Sequence, residues 1–164
     1  MTPPDRALLV SLRPAYAEMI LAGIKTVELR RIRPKAPAGT LVLIYASSPT
    51  SHVLGTCVVE HIGSGTPDEI WELHGGRTGI GRPAFSSYFT GTNQGVAITV
   101  GNPRRLQDPV PLDALRRHGF APPQSFRYIT LADAETLLGP QVDITQHRGM
   151  TFAVPTLLDD IFVT

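Results

Sequence analysis

Short unbroken apolar runs, strict alternation and helical spacing follow one another along the chain, and each pattern predicts an element. Residues 7–12 (ALLVSL) read as a short buried strand. Pro14 suits the first turn of a helix, and Tyr16, Met19, Ile20 and Gly23 then fall at i, i+3, i+4 and i+7. Gly23 stands where a left-handed cap would end that helix. Residues 26–32 predict a second strand, with Val27 and Leu29 on one face and Thr26, Glu28 and Arg30 on the other. Pro34, Pro37 and Gly39 make a turn. Residues 40–47 and 52–62 are nearly continuous in apolar side chains, so both predict strands covered on both faces, joined at the polar corner Ser47-Ser48-Pro49.

Thr66-Pro67-Asp68-Glu69 opens a second helix, with Thr66 as N-cap, Pro67 at the first helical position and Glu69 closing a capping box. Residues 75–83 (GGRTGIGRP) read as a flexible basic loop, followed by a short helix at 86–89 and a strand at 95–100. A turn-rich connector is expected at 103–111, a helix at 112–117 ended by Gly119, a strand at 126–130 and a helix at 132–138. Residues 139–164 form a C-terminal extension that either adds a strand at 152–154 or crosses to a partner subunit, and its apolar stretch 152–163 leaves a homodimer open. No repeat, linker or low-complexity segment interrupts the pattern, so residues 1–164 are read as a single domain.

A chain of 164 residues buries a sufficient core without a staple. Its one cysteine, Cys57, lies in the apolar run 53–59 and reads as a small buried hydrophobe. The opening MTPPDRALLV lacks the pattern of a signal peptide, and the longest apolar run, 41–46, falls far short of the about 20 residues that span a bilayer. The expectation is a cytoplasmic protein that does not enter a membrane. A net charge of +1 argues against bulk polyanion binding. Charge is local instead: residues 25–35 hold Lys25, Arg30, Arg31, Arg33 and Lys35 against one acid, Glu28, a patch suited to one or two phosphates.

Several motifs are excluded. The glycines at 75, 76, 79 and 81 follow a helix and lack the spacing of a dinucleotide fingerprint, and no Walker A motif or G-x-S-x-G elbow occurs. The five histidines show no ligand spacing, and Asp159-Asp160 reads as a solvated charge pair, so neither a metal nor a cofactor is expected.

The remaining constellation is Gly23-Ile24-Lys25-Thr26-Val27-Glu28-Leu29-Arg30-Arg31. With Val27 and Leu29 fixed to the core, Thr26, Glu28 and Arg30 share the opposite face and Lys25 stands at the mouth of the strand. A carboxylate between two cations holds both in place; the cations can contact phosphate, and the carboxylate can accept from the exocyclic amine of a base. The same spacing also fits a surface ion-pair ladder.

This stretch, with the upstream S-L-R-P-x-Y-A and the downstream L-I-Y-A-S-S-P, resembles ASCH domains of the PUA-like superfamily. Later pieces, including Tyr88-Phe89-x-Gly91 and Pro122-Pro123-Gln124-Ser125-Phe126-Arg127-Tyr128, resemble that family's C-terminal half, so the likeness covers about residues 7–132. It implies an α+β fold, a small mixed-strand pseudo-β-barrel with flanking helices, whose cleft beside the K-x-x-E-x-R strand faces RNA or a nucleotide. Members that deacetylate acetylated cytidine carry a second threonine where this chain has Glu28, and a carboxylate substitutes poorly for that group.

Around such a cleft, Ser47 and Ser48 can bind phosphate, Tyr45 or Tyr88 can stack a base, and Ser125 and Arg127 are expected to share one face of the last strand. The binding set is therefore Lys25, Thr26, Glu28, Arg30, Arg31, Tyr45, Ser47, Ser48, Tyr88, Ser125 and Arg127. One reading is a module that binds single-stranded RNA, a nucleotide or a modified nucleoside. The other is a metal-independent enzyme, a single-strand ribonuclease or nucleoside amidohydrolase, with Lys25 and Glu28 as acid/base groups. For the enzyme, burial and the neighbouring arginines would have to lower the lysine pKa against the opposing effect of Glu28.

Overall fold

Six β-strands and five α-helices are built over residues 5–147, the part of the chain described by the structure, a computed structural model. The strands are β1 (Arg6–Leu12), β2 (Val27–Arg30), β3 (Leu41–Ala46), β4 (His52–Gly65), β5 (Gly95–Pro111) and β6 (Phe126–Thr130). The helices are α1 (Pro14–Leu21), α2 (Pro67–His74), α3 (Arg82–Tyr88), α4 (Leu112–Arg117) and α5 (Leu131–Leu138). The strands form one mixed sheet in the order β2-β5-β4-β3-β1-β6, in which β1 and β3 are parallel and every other pair is antiparallel.

Both faces of the central strands are covered, which explains their continuous apolar sequence. Ala7 and Leu9 of β1, with Leu41, Leu43 and Tyr45 of β3, pack on one face against α5, Leu115 of α4 and Ile144. Leu8, Val10 and Leu12, with Val42, Ile44 and Ala46, pack on the other face against Ala17 and Ile20 of α1. Cys57 of β4 is enclosed in this second cluster, and burial, with the nearby Glu28 charge, pushes its thiol well up. A third cluster joins Val27 and Leu29 of β2 to Ile70, Phe85 and Phe89 of α2 and α3.

The sheet curls until its outer strands approach. Arg30, at the end of β2, donates to Ser125 Oγ just before β6 (3.1 Å) and to the Ser11 carbonyl of β1 (3.0 Å). The Lys35 amide donates to the Tyr128 hydroxyl of β6 at 2.6 Å. Side chains, not a strand ladder, bring the edges together, and this gives the architecture its pseudo-barrel character.

Most boundaries follow the sequence. Gly23 has φ +78 just beyond α1, and the α2 capping box is complete, with Glu69 N–H donating to Thr66 Oγ1 (3.2 Å) and Thr66 N–H to Glu69 Oε2 (3.1 Å). Three expectations need correction. The connector at 103–111 is instead the second half of β5, which stays paired with β4 because the register shifts on either side of Gly55 and Thr56 accommodate Pro109 and Pro103. Helix α3 begins at Arg82, not 86. The second strand is four residues long, not seven. Residues 139–147 fold back in two 3₁₀ turns, with Ile144 in the first cluster. The strand at 152–154, the apolar stretch 152–163 and the dimer drawn from it lie outside the described residues. Among the described residues, no helix is long and apolar enough to cross a membrane.

Candidate functional site

Strand β2 carries its chemistry on the face turned away from Val27 and Leu29, and that face forms the floor of a cleft of about 510 Å³. The end of β1 and the start of α1 supply Ser11, Arg13 and Tyr16; β2 and its flanks supply Lys25, Glu28, Arg30 and Arg31; α3 and the loop before it supply Ile80, Ala84, Ser87 and Tyr88. Four cationic side chains therefore surround one carboxylate.

The floor is buried rather than a solvated ladder. Lys25, Glu28 and Arg30 are 2%, 9% and 7% exposed. Lys25 Nζ lies 3.5 Å from Glu28 Oε2, and Arg30 Nη2 lies 3.4 Å from Glu28 Oε1. The amine also donates to the Thr78 carbonyl at 2.6 Å and stands 5.4 Å from the Tyr16 ring centre. Burial holds the Lys25 pKa below the ordinary lysine value; Glu28 opposes that shift, and Arg30 adds to it. Thus the opposition expected from Glu28 is present but does not prevail, because the amine is buried. Glu28 Oε2 and Arg30 Nε are buried with no hydrogen-bond partner among the described residues.

The rim is more open. Arg31 is exposed, lies 5.0 Å from the Tyr88 ring centre and donates through Nε to the Tyr88 carbonyl (2.8 Å), with Nη2 on the same oxygen. The Tyr88 hydroxyl donates to the Leu29 carbonyl at 3.1 Å, so this half-buried ring is pinned against the edge of β2, and burial raises its pKa.

The family model for the ASCH domain matches residues 10–103, more than half of the chain. The protein belongs to the ASCH domain family. A relative from Zymomonas mobilis, an ASCH domain-containing ribonuclease, is 31% identical over 138 residues, covering 82% of this chain and 93% of its own. The crystal structure of ASCH from Zymomonas mobilis is 29% identical and superposes with a TM-score of 0.76, covering 80% of this chain and 92% of that one. Human THYN1 protein, solved in complex with 5-methylcytosine-containing DNA, shares the fold alone: 12% identity and a TM-score of 0.54, with 85% and 99% of the two chains covered.

In this ASCH domain the structure brings together Lys25, Glu28, Arg30, Arg31 and Tyr88, with Ser125 joined to them through Arg30. Other sequence candidates fall elsewhere. Tyr45 is 2% exposed inside the first core cluster, on the face of β3 shared with Leu41 and Leu43, where no base can stack on it. Arg127 lies 5.0 Å from the Phe120 ring centre and does not line the cleft, because Ser125 precedes β6 and turns toward Arg30. Ser47 and Ser48 form the turn after β3 and do not line the cleft; the Ser47 amide is committed to the Leu12 carbonyl at 2.8 Å. Thr26 does not line the cleft; its amide donates to the Arg77 carbonyl at 3.0 Å.

Arg33 and Lys35 leave the ASCH cleft, Arg33 for Ser64 and Ile62 of β4. Sequence reasoning missed Arg13, Tyr16 and Thr78. The signal for the first two was present, since both lie in the S-L-R-P-x-Y-A stretch that carried the family likeness. Tyr16 instead fitted the apolar stripe of α1. Among the described residues, no three His, Cys, Asp or Glu side chains cluster as metal ligands.

Proposed function

We propose that this ASCH domain is a ribonuclease that holds single-stranded RNA across the cleft and cuts it by acid–base catalysis at Lys25. The observation that carries this reading is the amine at the cleft floor, buried and held below the ordinary lysine pKa beside several cations. The ribonuclease named among its relatives, 31% identical over most of both chains, supports the same class of reaction.

In this reading Arg13 and Arg31 at the rim bind the phosphate on either side of the scissile bond, and the Tyr88 wall receives a base. Neutral Lys25 takes the proton of the ribose 2′-hydroxyl as its oxygen attacks the adjacent phosphorus. The P–O5′ bond breaks, and the same amine returns its proton to the departing 5′-oxygen. The products are a 2′,3′-cyclic phosphate and a free 5′-hydroxyl, with no net proton change. Glu28 orients the amine and stabilises its protonated form between the two transfers.

A second reading, a module that binds RNA without cutting it, is favoured by the closeness of Glu28 to the amine, 3.5 Å, since a permanently paired ammonium can hold phosphate but take no proton. Incubating the protein with end-labelled single-stranded RNA, scored for cleavage and retention, separates the two. Cleavage that Lys25→Met lowers at least about a hundredfold, while retention stays within a fewfold, is the outcome expected of the enzyme. Intact RNA that is retained in a salt-dependent way replaces it with the binding module, and neither retention nor cleavage removes RNA as the ligand.

A further inference from the structure

We infer that the loop at residues 75–81 is a positioning element for the Lys25 amine, and that Thr78 is the residue that sets its shape. The placement of the amine stands on geometry alone; its consequence for cleavage rests on the ribonuclease reading.

This glycine-rich loop fits no phosphate-binding motif, and the structure gives it other work. Its 3₁₀ turn, Gly75–Arg77, ends at Thr78, which is fully buried and donates its hydroxyl to the Gly75 carbonyl at 2.8 Å. That bond presents two successive carbonyls to the start of β2: Arg77 accepts from the Thr26 amide at 3.0 Å, and Thr78 accepts from Lys25 Nζ at 2.6 Å. The next residue, Gly79, has φ +73, and a Cβ there would stand 2.9 Å from Met19 Sδ and 3.4 Å from Lys25 Cβ. The left-handed backbone favours glycine there, and an added Cβ would crowd Met19 beside the lysine stem. The loop is thus both the acceptor that aims the amine and part of the cover that keeps water from it.

The charged and titratable groups around the amine are Glu28 and Arg30 of β2, Arg13 and Tyr16 at the start of α1, Arg31 at the rim and Tyr88 of α3, with Cys57 of β4 near Glu28. The loop's own charged side chain, Arg77, meets the His74 ring at 2.6 Å and does not line the cleft, so altering Thr78 changes placement and cover without changing charge. Burial is the largest cause of the lowered Lys25 pKa; opening the cover therefore moves it upward, toward that of an exposed lysine.

Lys25 and Lys35 are the only lysines in the sequence, which makes the test direct. Protein labelled with ¹³C at lysine Cε gives two signals, and the exposed Lys35 serves as internal reference. In the wild type the Lys25 signal is expected to titrate below the ordinary lysine value. Thr78→Val, which removes the hydroxyl and keeps the shape, is expected to move it upward, toward the ordinary lysine value, and to cut cleavage at neutral pH about tenfold, with KM within about twofold. Thr78→Ser, which keeps the hydroxyl, restores both readouts. Gly79→Ala displaces the same loop through its backbone and is read identically where Thr78→Val fails to fold.

A Lys25 titration unchanged or lowered in a folded Thr78→Val or Gly79→Ala variant overturns the inference, as does Thr78→Ser behaving like Thr78→Val. A titration that moves as expected in protein that cleaves no RNA leaves the positioning role standing and removes the ribonuclease reading. Cleavage in the wild type with an immobile titration does the reverse.

Discussion

Lys25 carries two conflicting requirements, since a primary amine prefers water and this one has almost none. Its native form therefore binds a proton less tightly than the unfolded chain does, and unfolding takes up a proton at any pH between the lowered native value and the ordinary 10.5. The contribution of this group to stability accordingly rises with pH through that window and is lost as pH falls through the native value. Lys25→Met lacks this slope. Urea midpoints compared between wild type and variant from neutral pH to about pH 10 should show the wild type gaining relative to the variant as pH increases. A constant difference would mean that the amine is not perturbed.

The same scale shows what a sequence can and cannot reveal. The sharing of one face by Glu28 and Arg30 follows from strand alternation, once Val27 and Leu29 are assigned to the core. Tyr45 was not readable in that way. Its strand is apolar at every position, so no alternation marks which face meets the cleft, and the tyrosine lies in the core with Leu41 and Leu43.

Among the elements, the clearest sequence signals were those closed by local chemistry. The capping box that opens α2 spans four residues and is complete in the structure. Thr66→Ala should lower stability by about 1 kcal/mol in urea denaturation, through loss of the hydroxyl that accepts from Glu69 N–H. An unchanged midpoint would show that α2 is held by its packing through Ile70 alone. The elements misread were those decided by partners distant in sequence. Pro103, Pro109 and Pro111 suggest a turn-rich connector when read alone, yet β5 runs through all three: Pro103 and Pro109 fall where its register against β4 shifts, and Pro111 pairs with His52 at its end. The 75–83 stretch looked flexible because its glycines were visible and its tether to β2 was not; that tether, Thr78 to Lys25, joins residues 53 apart.

For the whole molecule, the curled sheet and the cleft share one side chain. Arg30 links β2 to β1 and to the residue before β6, and faces Glu28 on the way, so closure of the sheet and the floor of the cleft are a single construction. Arg30→Met should lower stability by about 3 kcal/mol, because Glu28 is left buried with Lys25 as its remaining cation. Hydrogen exchange at Ser11 and in β6 should quicken together with that loss. If stability falls while those amides stay protected, the edges are joined by other contacts, such as Lys35 with Tyr128. This closure was the least legible part of the chain, since it unites residues 95 apart through a serine with no distinguishing pattern of its own.

Cys57 lies deep between β3 and β5, with its ionisation suppressed by burial and by the adjacent carboxylate. Reagents that alkylate thiolates therefore find no nucleophile in the folded chain. Each adduct records an excursion that exposes β4, and since the sequence has one cysteine, a molecule that has reacted carries a single mass increment. The fold has in effect turned its lone thiol into a one-time record of its own opening.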